Sequence, residues 1–183
     1  MRSLIPLTLF AALGLGAVAA AASEPQAPAK PAAPPPAAER PKPCTAPEHR
    51  QFDFWLGEWD VVEGGKVAGT NAITSTLGGC VLHEHWSGEG GLNGESFNLY
   101  DAPSGQWRQF WVDSSGSHLD LVGGLVDGKM VLSATTPRGD KVVHNRITWT
   151  PNADKSVRQL WEVSRDGQTW KVVFDGLYKP RSR

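Results

Sequence analysis

Residues 157–178 of the chain read VRQLWEVSRDGQTWKVVFDGLY, which is two alternating runs on either side of a turn. Asp166-Gly167 at the centre supplies the positive φ angles that a tight hairpin needs. On both sides, apolar residues recur at every second position with charged residues between them. The apolar positions are Val157, Trp161 and Val163 in the first run and Trp170, Val172, Phe174 and Tyr178 in the second. A period of two predicts β-strands with one buried face.

The same succession of strand-like runs and turns extends back to residue 58 and predicts an all-β domain. Its turns are Gly64-Gly65, Gly78-Gly79, Gly88 to Gly94, Asp101 to Gly105, Asp113 to Ser117, Asp127-Gly128, Pro137 to Asp140, Pro151 to Asp154 and Asp166-Gly167. These turns predict about ten consecutive antiparallel strands. Because an open meander of that size leaves long unpaired edges, we expect an up-and-down barrel, with a two-sheet β-sandwich as the alternative. Gly123-Gly124, inside the sixth predicted strand, is interpreted as a β-bulge.

The residues before the first strand, FDFWLGEWD at 52–60, contain Gly57-x-Trp59. This resembles the opening motif of the lipocalin and fatty-acid-binding barrels, the calycins. The resemblance implies a barrel in which Trp59 plugs one end beneath a basic side chain near the last strand. Lys179 or Arg181 would supply that cation–π contact.

A longer pattern resembles a family of uncharacterised secreted bacterial proteins with a lipocalin-like fold. Its segments are CVLHEHW at 80–86, GESFNLYD at 94–101, WRQFWVD at 107–113 and RQLWEVSRDGQTW at 158–170. The resemblance spans nearly all of residues 48–183 and implies the fold, but it brings no activity. Residues 164–170 have one glycine fewer than the S-x-D-G-G-x-T-W turn of that family, which is a hairpin device.

The N-terminal residues predict export. Arg2 precedes an apolar run that ends in Ala20-Ala21-Ala22 before Ser23, so residues 1–22 are predicted to be a cleaved signal peptide. The alternative, a membrane anchor, would need a longer strongly apolar run. Residues 23–47 are rich in proline and alanine and predict a polyproline II tether, or a disordered leader without a role. Residues 48–183 form one predicted domain, in a periplasmic or secreted protein with no membrane span after cleavage.

Net charge bears on whether the protein binds nucleic acid, and the two cysteines bear on whether it contains a disulfide. Loss of Arg2 with the signal leaves 17 Lys and Arg against 19 Asp and Glu, a net charge of −2. Without a basic cluster, no nucleic-acid binding is predicted. Cys44 and Cys80 are predicted to form a disulfide in an oxidising compartment, with two free thiols as the alternative.

The eight tryptophans all lie in the predicted domain, where they form either a filled core or the walls of a ligand cavity. Polar residues flanked by apolar neighbours on the same strand face are more informative. If they are buried, they either satisfy one another as a network or orient a ligand. A barrel that binds a small apolar or aromatic molecule is the first hypothesis. Its predicted contacts are Glu84, Asn98, Gln109, Arg146 and Gln159, with Trp86, Trp111 and Trp161 as walls.

Two other functions stay open. A buried Glu84 with a raised pKa, beside Arg146 or Arg158, would suit a hydrolase or isomerase, and a structural ion pair explains it equally well. Since the sequence has no G-x-S-x-G motif, no catalytic residue is assigned. The third hypothesis is an envelope protein-interaction module with an exposed aromatic patch. The sequence predicts no oligomeric state.

His83 and His85 form an H-x-H pair that could bind zinc with a third ligand. Candidates for that ligand are His118, Asp120 and His144. Because Glu84 and Trp86 are expected to face inward, both histidines are expected to be exposed, and no metal is predicted. Haem is not predicted, since no histidine follows His144, and we expect no other cofactor.

Overall fold

The computed structural model describes residues 43–181. The predicted signal peptide, and the predicted tether as far as residue 42, lie outside the described residues. The described chain contains 3₁₀ helices at Pro47–Arg50, Asp53–Trp55 and Leu77–Gly79. Its strands are β1 (Gly57–Glu63), β2 (Lys66–Thr76), β3 (Val81–Gly88), β4 (Asn93–Asp101), β5 (Gln106–Asp113), β6 (His118–Val126), β7 (Lys129–Arg138), β8 (Lys141–Pro151), β9 (Val157–Ser164) and β10 (Trp170–Pro180). None of the helices between residues 43 and 181 is long and apolar enough to cross a membrane.

The ten strands form a closed antiparallel barrel in which each strand pairs with the next along the chain. The barrel closes where β1 pairs with β10, with Val61 opposite Tyr178 and Asp60 opposite Lys179. The predicted ten-stranded up-and-down barrel is therefore confirmed, and the sandwich is wrong. Because consecutive strands run in opposite directions, their connections alternate between two ends. We refer to the end where β1 begins as the closed end, and to the end where β1 turns into β2 as the open end.

Turns join the strands at the predicted places. Asp127 and Gly128 both have positive φ angles, 49° and 75°, as a two-residue hairpin loop requires. Pro137 and Arg138 belong to β7, so that turn consists of Gly139 and Asp140 alone.

The predicted bulge at Gly123-Gly124 is wrong, because β6 pairs with β5 as far as Gly123 and with β7 across both glycines without a register shift. Gly123 is required for a different reason. A Cβ atom on it would lie 2.1 Å from the carbonyl oxygen of Val131 on β7, whereas Gly124 has open space at the same position. Gly123 alone therefore permits the close approach of β6 to β7.

A bulge in β10 changes the face that its residues occupy. The register with β9 shifts between Val172 and Phe174. Before the shift, the ring of Trp170 lies on the outer surface, 4.0 Å from the guanidinium of Arg146. After it, Phe174 packs against the core. The predicted single apolar face from Trp170 to Tyr178 is therefore wrong, since the extra residue turns the first part of the strand outward.

Aromatic side chains fill the closed end. Phe52 and Trp55, both fully buried, precede β1 and stack with ring centroids 4.9 Å apart. Phe52 also meets Trp107 and Trp149 edge-on, at 5.6 and 5.2 Å. Such pairs contribute about 0.5–1.5 kcal/mol each beyond the area they bury. These rings fill the interior of the barrel at the closed end.

Trp59 is buried in the same cluster, and its indole N–H donates to the carbonyl oxygen of Trp55 at 3.0 Å. Arg181, which the resemblance placed above this ring, pairs with Asp60 instead at 3.0 Å. Within residues 43–181 no cation covers the Trp59 ring, so the expected contact from Lys179 or Arg181 is wrong.

Cys44 and Cys80 form the predicted disulfide, and the alternative of two free thiols is wrong. The bridge joins the chain in front of the first 3₁₀ helix to the turn before β3. Such a bridge is typical of proteins in an oxidising, non-cytoplasmic compartment.

Candidate functional site

A large cavity lies at the open end of the barrel. Its volume is about 1530 Å³, and its walls come from β5 to β10 and the hairpins that join them. Its main apolar lining residues are Trp111, Leu119, Val143, Trp161 and Val163. A smaller cavity of about 550 Å³ lies at the closed end beside Phe54 and Leu56, and none of the predicted site residues lines it. The open-end cavity is the candidate functional site.

Trp111 forms one wall of this cavity because a glycine behind it leaves room for its ring. A Cβ atom on Gly94 of β4 would lie 2.3 Å from Cζ2 of Trp111. The indole therefore packs against β4, where any larger residue at position 94 would displace it. Its N–H donates to Asp113 Oδ2 at 3.2 Å. These two contacts fix the ring in the wall of the cavity.

Trp161 forms a second wall, and its ring is held by a buried amide. The indole N–H donates to Asn145 Oδ1 at 3.1 Å, and Asn145 Nδ2 donates to Thr136 Oγ1 at 2.8 Å. Because these polar groups already have partners, a bound molecule would meet the apolar face of Trp161 rather than an unsatisfied donor.

Trp86, the third predicted wall residue, does not line the described cavity. A Cβ atom on Gly69 would lie 2.8 Å from its ring, so it too lies against a glycine. It meets Phe174 edge-on, with ring centroids 6.3 Å apart. Trp86 therefore belongs to the inner packing of the β2, β3 and β10 side.

Three of the predicted polar residues are buried together with Ser96 in a hydrogen-bonded chain. Ser96 Oγ donates to Glu84 Oε2 at 2.5 Å. Asn98 Nδ2 donates to Ser96 Oγ at 2.9 Å, and Gln109 Nε2 donates to Asn98 Oδ1 at 2.8 Å. The chain crosses β3, β4 and β5, so these residues satisfy one another.

Asn71 and Tyr178 extend this network to the far side of the barrel, and sequence reasoning missed both. Asn71 Nδ2 donates to Glu84 Oε1 at 2.7 Å and lies 3.4 Å from the Tyr178 hydroxyl. That hydroxyl donates to Gln159 Oε1, which brings the fourth predicted polar residue into the network. The available signal was the position of Asn71 two residues before Ile73, on the same strand face.

Burial raises the pKa of Glu84 from its ordinary value of 4.5 to about 7. The cause is the loss of water around the carboxylate, which outweighs the hydrogen bonds that Ser96 and Asn71 donate to it. Burial, together with the nearby charge of Glu84, also raises the pKa of Tyr178. The barrel interior therefore holds a carboxyl group that changes protonation near neutral pH.

The arginines expected beside Glu84 lie on the outer surface. Arg146 Nη2 lies 2.9 Å from Glu162 Oε2, and Arg158 Nε lies 2.7 Å from Asp175 Oδ1. On β8 the buried residues are the odd-numbered ones around Arg146, so its own side chain points outward. The expected charge partner of Glu84 is therefore wrong, and Arg146 does not line the cavity.

His83 and His85 lie on the outer face of β3, where both contact Glu95 on β4. His83 Nε2 is 2.9 Å from one carboxylate oxygen, and His85 Nδ1 is 3.3 Å from the other. These hydrogen bonds lower the pKa of Glu95. In the part of the chain that the structure describes, no group of three His, Cys, Asp or Glu side chains is placed to hold a metal.

An aromatic pair is exposed on the outer surface beside these histidines. Phe97 and Phe110 stand opposite each other on β4 and β5, and each is 48% exposed. His83 stacks on Phe97 with ring centroids 4.7 Å apart. Aromatic surface of the kind that the interaction-module hypothesis requires is therefore present on this face.

No protein-family model and no curated protein matches this chain. Its function is therefore inferred from the geometry of the barrel.

Proposed function

We propose that the protein is an exported barrel that binds a small, largely apolar or aromatic molecule in the open-end cavity. The observation that carries this proposal is a cavity of about 1530 Å³ with two fixed indole walls, Trp111 and Trp161. Pockets for drug-sized ligands usually measure about 300–1,000 Å³, so this volume is sufficient even though the mouth is open.

The way the rings are held supports binding rather than simple core filling. Trp111 lies against Gly94 and is hydrogen-bonded to Asp113, while Trp161 is hydrogen-bonded to Asn145. Both rings are therefore oriented before a ligand arrives, which lowers the entropic cost of binding. A planar apolar group placed between them would bury its faces against aromatic surface.

The polar network supports a structural role for the other predicted contacts. Glu84, Asn98 and Gln109 hydrogen-bond to one another and to Ser96, and none of them lines the described cavity. We therefore assign ligand contact to Trp111 and Trp161, and assign the network to holding β3, β4 and β5 in register beneath them.

Export and kinship are supported by separate features. The predicted signal peptide at 1–22 and the disulfide between Cys44 and Cys80 both suit a periplasmic or secreted protein. The closed meander and Gly57-x-Trp59 support placing the chain among the lipocalin-like calycins.

The test is a titration with N-phenyl-1-naphthylamine, a neutral planar probe whose fluorescence rises in apolar surroundings. We expect saturable binding to the wild-type protein and at least a ~10-fold rise in Kd for Trp111→Leu, a change of about 1.4 kcal/mol. Trp170→Leu is the matched control, because that ring lies outside against Arg146. Circular dichroism checks that each variant is folded. Absence of saturable binding, or equal weakening by both substitutions, would contradict the proposal.

A further inference from the structure

Arginines of the described chain fall into two groups. Five of them form ion pairs with a neighbouring carboxylate: Arg50, Arg108, Arg146, Arg158 and Arg181. The remaining two between residues 43 and 181 are Arg138 and Arg165, and no ion pair is formed by either. Both line the open-end cavity. The guanidinium groups without a carboxylate partner are thus found at the mouth of the proposed binding site.

Two lysines join these arginines on one half of the rim. Lys141 begins β8, directly after the hairpin that follows Arg138, and Lys171 lies on β10 after the hairpin that contains Arg165. The two hairpins are neighbours because β8 pairs with β9. Four cationic side chains therefore border the same half of the cavity as Trp161.

Two of the three carboxylates that line the cavity accept hydrogen bonds from groups in their own turns. Asp166 Oδ1 accepts hydrogen bonds from the backbone N–H groups of Gln168 and Thr169, at 2.8 and 2.7 Å, and these bonds lower its pKa. Asp113, across the cavity on β5, accepts from Trp111 and from Ser115. Asp140 is the remaining acidic lining residue, and it is exposed. Asp113 and Asp166 thus stabilise their own loops, and none of the three acids forms an ion pair with Arg138 or Arg165.

We propose that the ligand of the cavity is an anion: a planar apolar or aromatic body that carries a carboxylate, sulfonate or phosphate group. This inference rests on the proposed binding function. The apolar body lies against Trp161 and Trp111, and the anionic group lies at the rim between Arg138 and Arg165. Guanidinium groups bind oxyanions through paired N–H donors, and the lysines add charge that attracts the ligand to the mouth.

The test compares two probes that differ in one group. N-phenyl-1-naphthylamine is neutral, and 8-anilino-1-naphthalenesulfonate has the same aromatic body with a sulfonate. We expect the sulfonate to bind about tenfold more tightly in 20 mM salt, and this advantage to shrink in 500 mM salt because the rim charges are exposed. The double substitution Arg138→Gln with Arg165→Gln should remove the advantage and leave the affinity for the neutral probe unchanged. Lys129→Gln, at an exposed position on the closed end, is the control and should change neither affinity.

The outcomes separate the two proposals. Equal affinity for both probes, or a sulfonate preference that survives the double substitution, overturns the anion inference and leaves the binding function standing. Failure of both probes to bind overturns both proposals. A preference for the sulfonate that both arginine substitutions abolish supports both.

Discussion

Replacing Glu84 by glutamine should make the protein less sensitive to pH. Glutamine has nearly the same shape and can accept from Asn71 as the carboxylate does, whereas its Nε2 would donate to Ser96 Oγ and so reverse the bond that Ser96 donates in the wild type. What changes is the proton: burial raises the pKa of Glu84 to about 7 from an ordinary value of 4.5. Asn71 turns its Nδ2 toward the carboxylate, and its Oδ1 has no hydrogen-bond partner among the described residues, so rotation of this amide would present an acceptor to the protonated carboxyl.

The sign and size follow from the linkage between protonation and folding. Between the two pKa values the folded state binds more protons than the unfolded state, so the free energy of unfolding falls as pH rises. The stabilisation is complete below pH 4.5 and is lost as the pH passes about 7. At 1.36 kcal/mol per unit of pKa, the full loss is about 3 kcal/mol, of which about 2 to 3 kcal/mol falls between pH 5 and 8.5.

Urea unfolding of the wild-type protein and Glu84→Gln at several pH values from 5 to 8.5 measures this effect. The difference between the two proteins isolates Glu84, because every other ionisable group is common to both. We expect the variant to gain about 2 to 3 kcal/mol on the wild type across this range. Glu89→Gln, at an exposed turn position, should track the wild type. If the Glu84→Gln and wild-type curves run parallel within about 0.5 kcal/mol, the carboxyl group does not titrate as its burial requires.

Two further predictions concern the barrel itself. Gly123→Ala should lower the free energy of unfolding by about 1–3 kcal/mol, because its Cβ would lie 2.1 Å from a backbone carbonyl oxygen. Gly124→Ala, which has open space around its Cβ, should change the free energy of unfolding by less than about 1 kcal/mol. Similar values for the two variants in thermal or urea unfolding would refute the steric argument. Cys44→Ala with Cys80→Ala should cost about 4 kcal/mol, since the disulfide closes a loop between cysteines 36 positions apart, and a loss under about 1 kcal/mol in urea unfolding without reductant would contradict the chain-entropy estimate.

Local sequence predicted the barrel well because its turns are made by residues with distinctive backbone chemistry. A pair such as Asp127-Gly128 marks a tight hairpin wherever it falls, and a chain of such hairpins has few ways to avoid open edges. The bulge in β10 could not be predicted from the sequence, because Val172 and Val173 are both apolar and alternation cannot show which of them is the extra residue. Gly123 was misread for a related reason, since a glycine in a strand indicates either a bulge or a close approach.

The interior network was predicted in part. Glu84 and Gln109 lie between large apolar residues on the same face of their strands, so the alternation of the sequence predicts that both are buried. Tyr178 was read as purely apolar, although its hydroxyl links Asn71 to Gln159. Which strands lie opposite each other across the barrel depends on the pairing of β1 with β10. Local alternation shows which residues face inward, but it does not show which inward residues come within hydrogen-bond distance of each other across the barrel.

Closure of β1 on β10 also determines where the chain enters and leaves the barrel. Strand β1 begins and β10 ends at the closed end, and the disulfide at Cys44 joins the turn before β3 at that same end. An 11-residue strand such as β8, at about 3.3 Å per residue and a tilt of about 40°, separates that end from the cavity mouth by roughly 25–30 Å. A reporter protein or a sensor-chip linkage joined directly before Pro43 or directly after Arg181 should therefore lie away from the mouth, which makes this barrel suited to immobilised binding assays and biosensor fusions.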